Sequence, residues 1–282
     1  MKIAIGSGKG GTGKTTVAVA LALAATESVQ YLDCDVEEPN GHIFLKPAMK
    51  DKWPVSLPVP CVDSTLCDGC GTCDRVCQFN AIISLAKTVM VFPELCHGCG
   101  GCSLACPTGA LSEIDYEIGC VEKGMAESIE FVQGCLTVGH AMSPPVIRAV
   151  KREADDQRLT VIDCPPGTSC PFIAGVKGSD AVILVTEPTP FGLHDLTLAV
   201  ETVRQLGIRF GVIVNRVHDP NNNITAYCEA QGIGVLMQIS ERRSVAVAYS
   251  RGDSLFSAAP ELKPQFQRVL EQAVCMAKGE LA

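Results

Sequence analysis

Short apolar runs alternate with longer helix-compatible stretches along most of the chain. Lys2 to Ile5 reads as a short buried strand, and the apolar run Val17 to Ala25 as the helix that follows it. Leu159 to Asp163 is an apolar strand ending in an acid, and Ala181 to Thr186 and Phe210 to Arg216 read as further buried parallel strands. Near the C-terminus Phe266, Val269, Leu270, Ala273, Val274 and Ala277 fall on one stripe at helical spacing. The opposite face (Gln267, Arg268, Glu271, Gln272, Lys278) lacks the basic excess that anionic lipid rewards, so a helix packed on the core is expected rather than a stable membrane anchor. Strands alternating with helices predict a doubly wound, mostly parallel α/β domain of about 220 residues. One stretch breaks the pattern. The prolines of Trp53 to Pro60 favour extended backbone and read as a boundary, and regular periodicity resumes near Gly119. The expected division is therefore 1–56 with 119–282 as the main domain, and 57–118 as an inserted α+β module.

Composition adds a compartment and a chemistry. The 282 residues carry a net charge of −8, with 31 acids against 23 basic residues, which argues against a nucleic-acid footprint. No apolar run approaches the ~20 residues of a spanning helix, and the N-terminus shows no export-signal pattern. Sixteen cysteines in such a chain predict a reducing cytoplasm, where thiols hold metal or do chemistry more often than they form disulfides. Nine of the sixteen lie between Leu57 and Ile118, a stretch that also holds seven acids against Arg75 and Lys87.

The spacing inside the insert is Cys67-x2-Cys70-x2-Cys73-x3-Cys77, repeated 29 residues later as Cys96-x2-Cys99-x2-Cys102-x3-Cys106-Pro107. A single CxxC fits a zinc knuckle, and a two-zinc module is the competing reading. Two full C-x2-C-x2-C-x3-C runs are an iron–sulfur pattern. Short steps let three thiolates wrap one cube, with Gly69, Gly71, Gly98, Gly100 and Gly101 allowing tight backbone beside it. The fourth cysteine is expected to start a helix-like segment aimed at the other cube. The ligand sets then cross: Cys67, Cys70, Cys73 and Cys106 on one cluster, Cys96, Cys99, Cys102 and Cys77 on the other. These sixty or so residues resemble the bacterial two-[4Fe-4S] ferredoxins, with one departure, Gln78 after Cys77. His97 is expected to be a surface residue, since the cysteine set is complete without it.

Gly8-Lys9-Gly10-Gly11-Thr12-Gly13-Lys14-Thr15-Thr16 sits between the first strand and first helix, the context that a phosphate-binding P-loop requires. Backbone N–H groups at a helix N-terminus meet phosphate oxygens there. Lys14 is placed to reach the β- and γ-phosphates of ATP, and Thr15 to bind Mg²⁺ through its hydroxyl.

The second lysine, Lys9, makes the loop resemble the deviant Walker A motif of the MinD/ParA/Mrp and nitrogenase iron-protein class. With the cysteine-rich stretch treated as an insert, the resemblance covers nearly the whole chain. It implies an ATP-sandwich dimer, with itself or a related paralogue, in which Lys9 reaches the partner's nucleotide. In Tyr31 to Asn40 it implies that Asp35 orients the attacking water and Asp33 supports Mg²⁺. In Leu159 to Gly167 it implies that Asp163 holds the metal through its water shell. Asn215 matches the family's adenine-contacting asparagine, against the simpler reading of a strand-end turn residue. Met142 to Val150 also resembles the family but carries no assigned chemistry. Cys34 and Cys164 flank the acids and read as buried packing residues, while Cys120 and Cys135 are candidates for a cluster bridging two subunits.

Three functions follow from this combination. The preferred one is an iron–sulfur ATPase coupling ATP binding and hydrolysis to electron transfer, its acidic insert docking a redox partner. The alternatives are an ATP-dependent cluster assembly or carrier protein, weakened by the lack of a CxxC outside the insert, and a ParA/MinD-like positioning protein whose clusters sense redox state.

Overall fold

The structure, a computed structural model, describes residues 1–86 and 88–280; Lys87, counted above in the charge of the insert, lies outside them. Eleven strands are described: β1 (Lys2–Gly6), β2 (Val29–Asp33), β3 (Ala48–Val62), β4 (Ile82–Leu85), β5 (Thr88–Val91), β6 (Leu111–Ala126), β7 (Ile129–Leu136), β8 (Leu159–Asp163), β9 (Ala181–Thr186), β10 (Phe210–Val217) and β11 (Val235–Ser240). The helices are α1 (Lys14–Ala24), α2 (Gly41–Leu45), α3 (Thr72–Val76), α4 (Gly101–Ala105), α5 (Pro144–Arg152), α6 (Cys170–Val176), α7 (Pro190–Gln205), α8 (Asn223–Ala230), α9 (Arg243–Ser250), α10 (Leu255–Ala258) and α11 (Lys263–Lys278).

Nine strands form one sheet in the order β11-β10-β9-β1-β8-β2-β7-β6-β3. From β11 to β7 every neighbour pairs parallel; β6 and β3 run antiparallel at the edge. Alternation along the strands divides the core between two faces. Ile3 and Ile5 of β1 pack with Val17 and Leu21 of α1 and Phe266, Val269 and Leu270 of α11. Ala4, between them, faces the layer of α5, α6, α7 and α8 through Ile147, Phe172, Val200 and Ile224. The doubly wound, mostly parallel arrangement is the one that the alternating pattern predicts. The apolar stripe of α11 lies against the core, with Phe266 and Ala273 fully buried. Among the described residues, no helix is long and apolar enough to cross a membrane.

The cysteine-rich stretch hangs on a two-stranded arm. Gly119–Ala126 of β6 pairs with β7, whereas Leu111–Glu117 pairs only with β3, so the ribbon runs on past the sheet. The proline-rich stretch is the interior of β3, an edge strand. Pro54, Pro58 and Pro60 oppose Cys120, Asp115 and Glu113, and an edge is the place where a strand tolerates residues that cannot donate to a ladder. At the arm's end α3, α4 and the hairpin β4–β5 form a small body of their own.

The internal repeat is visible in the backbone. Gly71 and Gly100, both left-handed (φ 69° and 68°), precede α3 and α4, which end at Cys77 and Cys106 with the same φ of −73° and ψ of 113° and 114°. The fourth cysteine of each run therefore closes a helical turn instead of starting one. The left-handed glycine begins each turn ahead of the third cysteine, so the chain has left the helix by the fourth.

Candidate functional site

The loop after β1 opens into a cleft of about 520 Å³ lined by Ser7, Gly10, Gly11, Gly13, Lys14, Thr15, Thr16, Asp35, Asn215 and residues of α9. Gly13 caps α1 at φ 89°, and a Cβ there would stand 2.2 Å from Nδ2 of Asn215. That amide donates to the Thr12 carbonyl at 2.8 Å. Asn215 thus holds the loop from behind while also lining the cleft.

Three carboxylates gather below the loop because β2 and β8 are neighbours in register, Asp33 opposite Asp163. Lys14 spans the group, its Nζ 2.6 Å from Oδ1 of Asp163 and 3.2 Å from Oδ2 of Asp35. Burial acts to lower the Lys14 pKa, but Asp163 and Asp35 outweigh it and keep the ammonium firmly charged. Asp33 is fully buried and accepts from the N–H groups of Gly41 at 2.8 Å and Asp35 at 3.2 Å. Burial, with Asp163 adding to it, pushes Asp33 up to about 8, and burial pushes Asp35 up to about 6 against the pull of Lys14. Tyr31 was missed by sequence reasoning: its hydroxyl donates to Oδ2 of Asp163 at 3.1 Å, and burial raises its pKa. Its position two residues before Asp33, on the same face of β2, is the signal that could have found it.

Lys9 points sideways to Glu187, just past β9, at 2.5 Å, and Arg216 reaches the other oxygen of Glu187 at 3.1 Å. Burial pushes Glu187 up, but Lys9 and Arg216 prevail and hold it below the usual carboxylate range. Sequence reading gave no sign of Glu187, which lies 178 residues from Lys9. Cys34 and Cys164 are wholly buried in the apolar core.

In the arm's terminal body the cysteines line two hollows. Cys67, Cys70, Cys73 and Cys106 surround one, with Val62, Val89 and Leu111. Cys77, Cys96, Cys99 and Cys102 surround the other, with Phe79, His97 and Glu113. Each hollow takes three cysteines from one run and the fourth from the other, and all eight thiols are free. His97 stacks on Phe79, ring centroids 3.6 Å apart. Among the described residues no three His, Cys, Asp or Glu side chains converge closely enough to ligate a single ion.

Comparison with known proteins places this geometry. Residues 3–256 match the CobQ/CobB/MinD/ParA nucleotide-binding domain family. The uncharacterised protein MJ0578 of Methanocaldococcus jannaschii is 34% identical over 220 residues, 77% of this chain and 78% of its own. An uncharacterised ATP-binding protein of the same organism, MJ0547, is 26% identical over 280 residues, 96% of this chain and 85% of its own. Among solved structures, the fold is similar to the septum-site-determining protein MinD of Pyrococcus horikoshii in complex with Mg-ADP (TM-score 0.57, 20% identity, 99% and 98% of the two chains). It is similar as well to the cell division ATPase MinD of Pyrococcus furiosus (TM-score 0.58, 19% identity, 100% and 99%). With its P-loop, buried acids and mostly parallel sheet, the chain belongs to the CobQ/CobB/MinD/ParA nucleotide-binding domain family.

Proposed function

We propose that this protein is an ATP-hydrolysing switch carrying two [4Fe-4S] clusters, and that it couples ATP binding and hydrolysis to electron transfer or to docking of a redox partner. The observation that carries the reading is the crossed grouping of eight free cysteines around two hollows at the end of one arm. Each hollow takes three cysteines of one run and one of the other, the sharing that two cubes with crossed ligand sets require. The eight cysteines are the residues that would hold the clusters, which supply one-electron chemistry when bound. On this reading residues 57–118 are the ferredoxin-like module, and 1–56 with 119–282 the ATPase.

In the ATPase, Gly10, Gly11 and Gly13 present backbone to the cleft and Lys14 leaves the carboxylates for the β- and γ-phosphates. Thr15, Asp33 and Asp163 would hold Mg²⁺, which neutralises phosphate charge. Asp35, the least buried of the three acids, orients the attacking water, and Lys9 reaches across an ATP-sandwich dimer to the partner's nucleotide. That last step requires Lys9 to leave Glu187. Glu187→Gln should therefore tighten dimerisation in a non-hydrolysable ATP analogue by roughly fivefold, about 1 kcal/mol for a half-buried ion pair; sedimentation reads it, and an unchanged dimer constant counts against a crossing Lys9.

A pH dependence follows from the buried acids. Between the ordinary carboxylate range and about 6 for Asp35 or about 8 for Asp33, the folded chain binds more protons than the unfolded one. Stability of the nucleotide-free protein should then fall as pH rises through this window. Mg-nucleotide binding needs those groups ionised and releases their protons. The gain in Tm on adding Mg-ATP should thus be larger at about pH 8 than at about pH 6, as thermal unfolding will report; equal gains would show that these acids do not face the metal.

Anaerobic purification with iron and acid-labile sulfide counts tests the whole reading. About eight irons per chain support both cubes, and a count near zero overturns them. Electron delivery to a co-purifying partner should require ATP and be lost in a P-loop variant. A second reading, a positioning ATPase with redox-sensing clusters, takes support from the fold shared with MinD proteins and with McdA of Cyanothece. It predicts ATP-dependent patterned distribution in cells, where the first predicts diffuse cytoplasmic protein.

A further inference from the structure

Cys120 and Cys135 stand directly opposite each other across β6 and β7. Paired positions in antiparallel strands lie about 4.5–5.5 Å apart at Cα, within the span that a disulfide bridges, and their side chains share a face. The pair is in a polar corner that the nucleotide site does not use. Gln133 Nε2 donates to Oε2 of Glu122 at 2.6 Å and approaches the Cys135 sulfur at 3.7 Å. Lys52 forms an ion pair with Glu122 at 3.0 Å and stands beside Cys120, supplying positive charge at that sulfur. Burial first, and then Cys120 and Glu122, push the Cys135 thiol up to about 12.

The location gives the pair a purpose. Cys120 lies opposite Pro54 at the base of the arm, and Leu57, three residues further along β3, packs on Gly98 in the Cys96–Cys102 hollow. At about 3.3 Å per residue that is roughly 10 Å of ribbon between the pair and the rim of the hollow, a span that permits electron tunnelling. Resting on the cluster reading above, we propose that Cys120 and Cys135 form a redox-active dithiol–disulfide pair fed by the two clusters, and that it reduces a disulfide substrate. The balance closes. With both clusters reduced by an external one-electron donor, the Cys120–Cys135 disulfide would take two electrons and two protons, and its S–S bond would break to give two thiols. The dithiol then attacks an external disulfide through a mixed disulfide, which the second thiol resolves, releasing the substrate as two thiols and restoring the internal S–S bond. Two one-electron centres are the number that a two-electron disulfide needs.

The test uses anaerobically purified holoprotein and hydroxyethyl disulfide as probe. After exposure, alkylation and non-reducing digestion, the Cys120 and Cys135 peptides should be found joined, and full alkylation of both thiols would overturn the pair. Photoreduction of the oxidised wild type should consume about four electrons per chain, against about two for Cys120→Ser and for Cys135→Ser. Equal uptake with a full iron count overturns the relay and leaves the clusters standing. Iron near zero overturns the cluster reading and the relay with it, while the joined peptide still reports the pair's geometry.

Discussion

Lys14→Met should abolish ATP hydrolysis, with a loss of at least ~100-fold in kcat from the removal of the charge that meets the transferring phosphoryl group. The structure adds a second consequence. Lys14 is almost fully buried and is the cation shared by Asp163 and Asp35, with Asp33 close behind. Removing one partner of a buried ion pair leaves an uncompensated charge, typically about 3–5 kcal/mol of destabilisation. Here the remaining groups are carboxylates, which relieve the penalty by taking up protons. Their pKa values rise further in the variant, so the folded state binds still more protons than the unfolded one. The deficit against wild type should accordingly be largest above about pH 8 and shrink as pH falls toward the ordinary carboxylate range. Thermal melts across that range, beside a steady-state ATPase assay, check both halves. A variant that hydrolyses ATP at the wild-type rate removes Lys14 from the mechanism; one that melts like wild type at every pH removes it from the acid cluster.

The parts of this molecule that were legible in sequence are those that physics writes locally. A buried parallel strand is a continuous apolar run, so β1, β8, β9 and β10 could be read directly. The glycine-rich loop could be read because few other chemistries require glycine at those positions together with Lys14 and a strand ahead of them. The repeat of the two cysteine runs could be read because their equal spacing returns in the backbone as two matching turns, each led by a left-handed glycine. What stayed hidden depends on pairing over distance. The long β3–β6 ribbon was masked by Pro54, Pro58 and Pro60, which suggest a linker until the strand is known to lie at an edge. Glu187 was invisible because its partner is 178 residues away, and for Tyr31, 132 residues from Asp163, the one local signal is its place two residues before Asp33 on β2. Asn215 lines the cleft, but its bond to the Thr12 carbonyl emerges only when β10 is folded beside the loop. The direction of the helical turns at Cys77 and Cys106 was misread for a local reason: spacing fixes which sulfurs can share a ligand, and the left-handed Gly71 and Gly100 decide where the turn begins.

If the two hollows hold the proposed clusters, their crossed cysteine grouping gives a prediction in which two double variants with the same number of lost cysteines behave differently. Cys77 and Cys96 line one hollow although they belong to different runs; Cys73 and Cys77 belong to one run although they line different hollows. The variant Cys77→Ser with Cys96→Ser should lose one cluster and keep about four irons per chain, because the Cys67, Cys70, Cys73 and Cys106 set is untouched. The variant Cys73→Ser with Cys77→Ser should lose a ligand from each cluster and fall toward no iron at all. If each run instead wrapped its own centre, the order would reverse: the first pair would damage both centres and the second only one. A zinc module would show no acid-labile sulfide in any variant. Folding of the ATPase supplies the control. The hollows lie on the arm beyond the part of β6 that pairs with β7, so both variants should retain Mg-ATP binding close to wild type. Iron and sulfide analysis of the two proteins, prepared side by side without oxygen, therefore separates crossed cubes, uncrossed cubes and zinc by the order of two numbers.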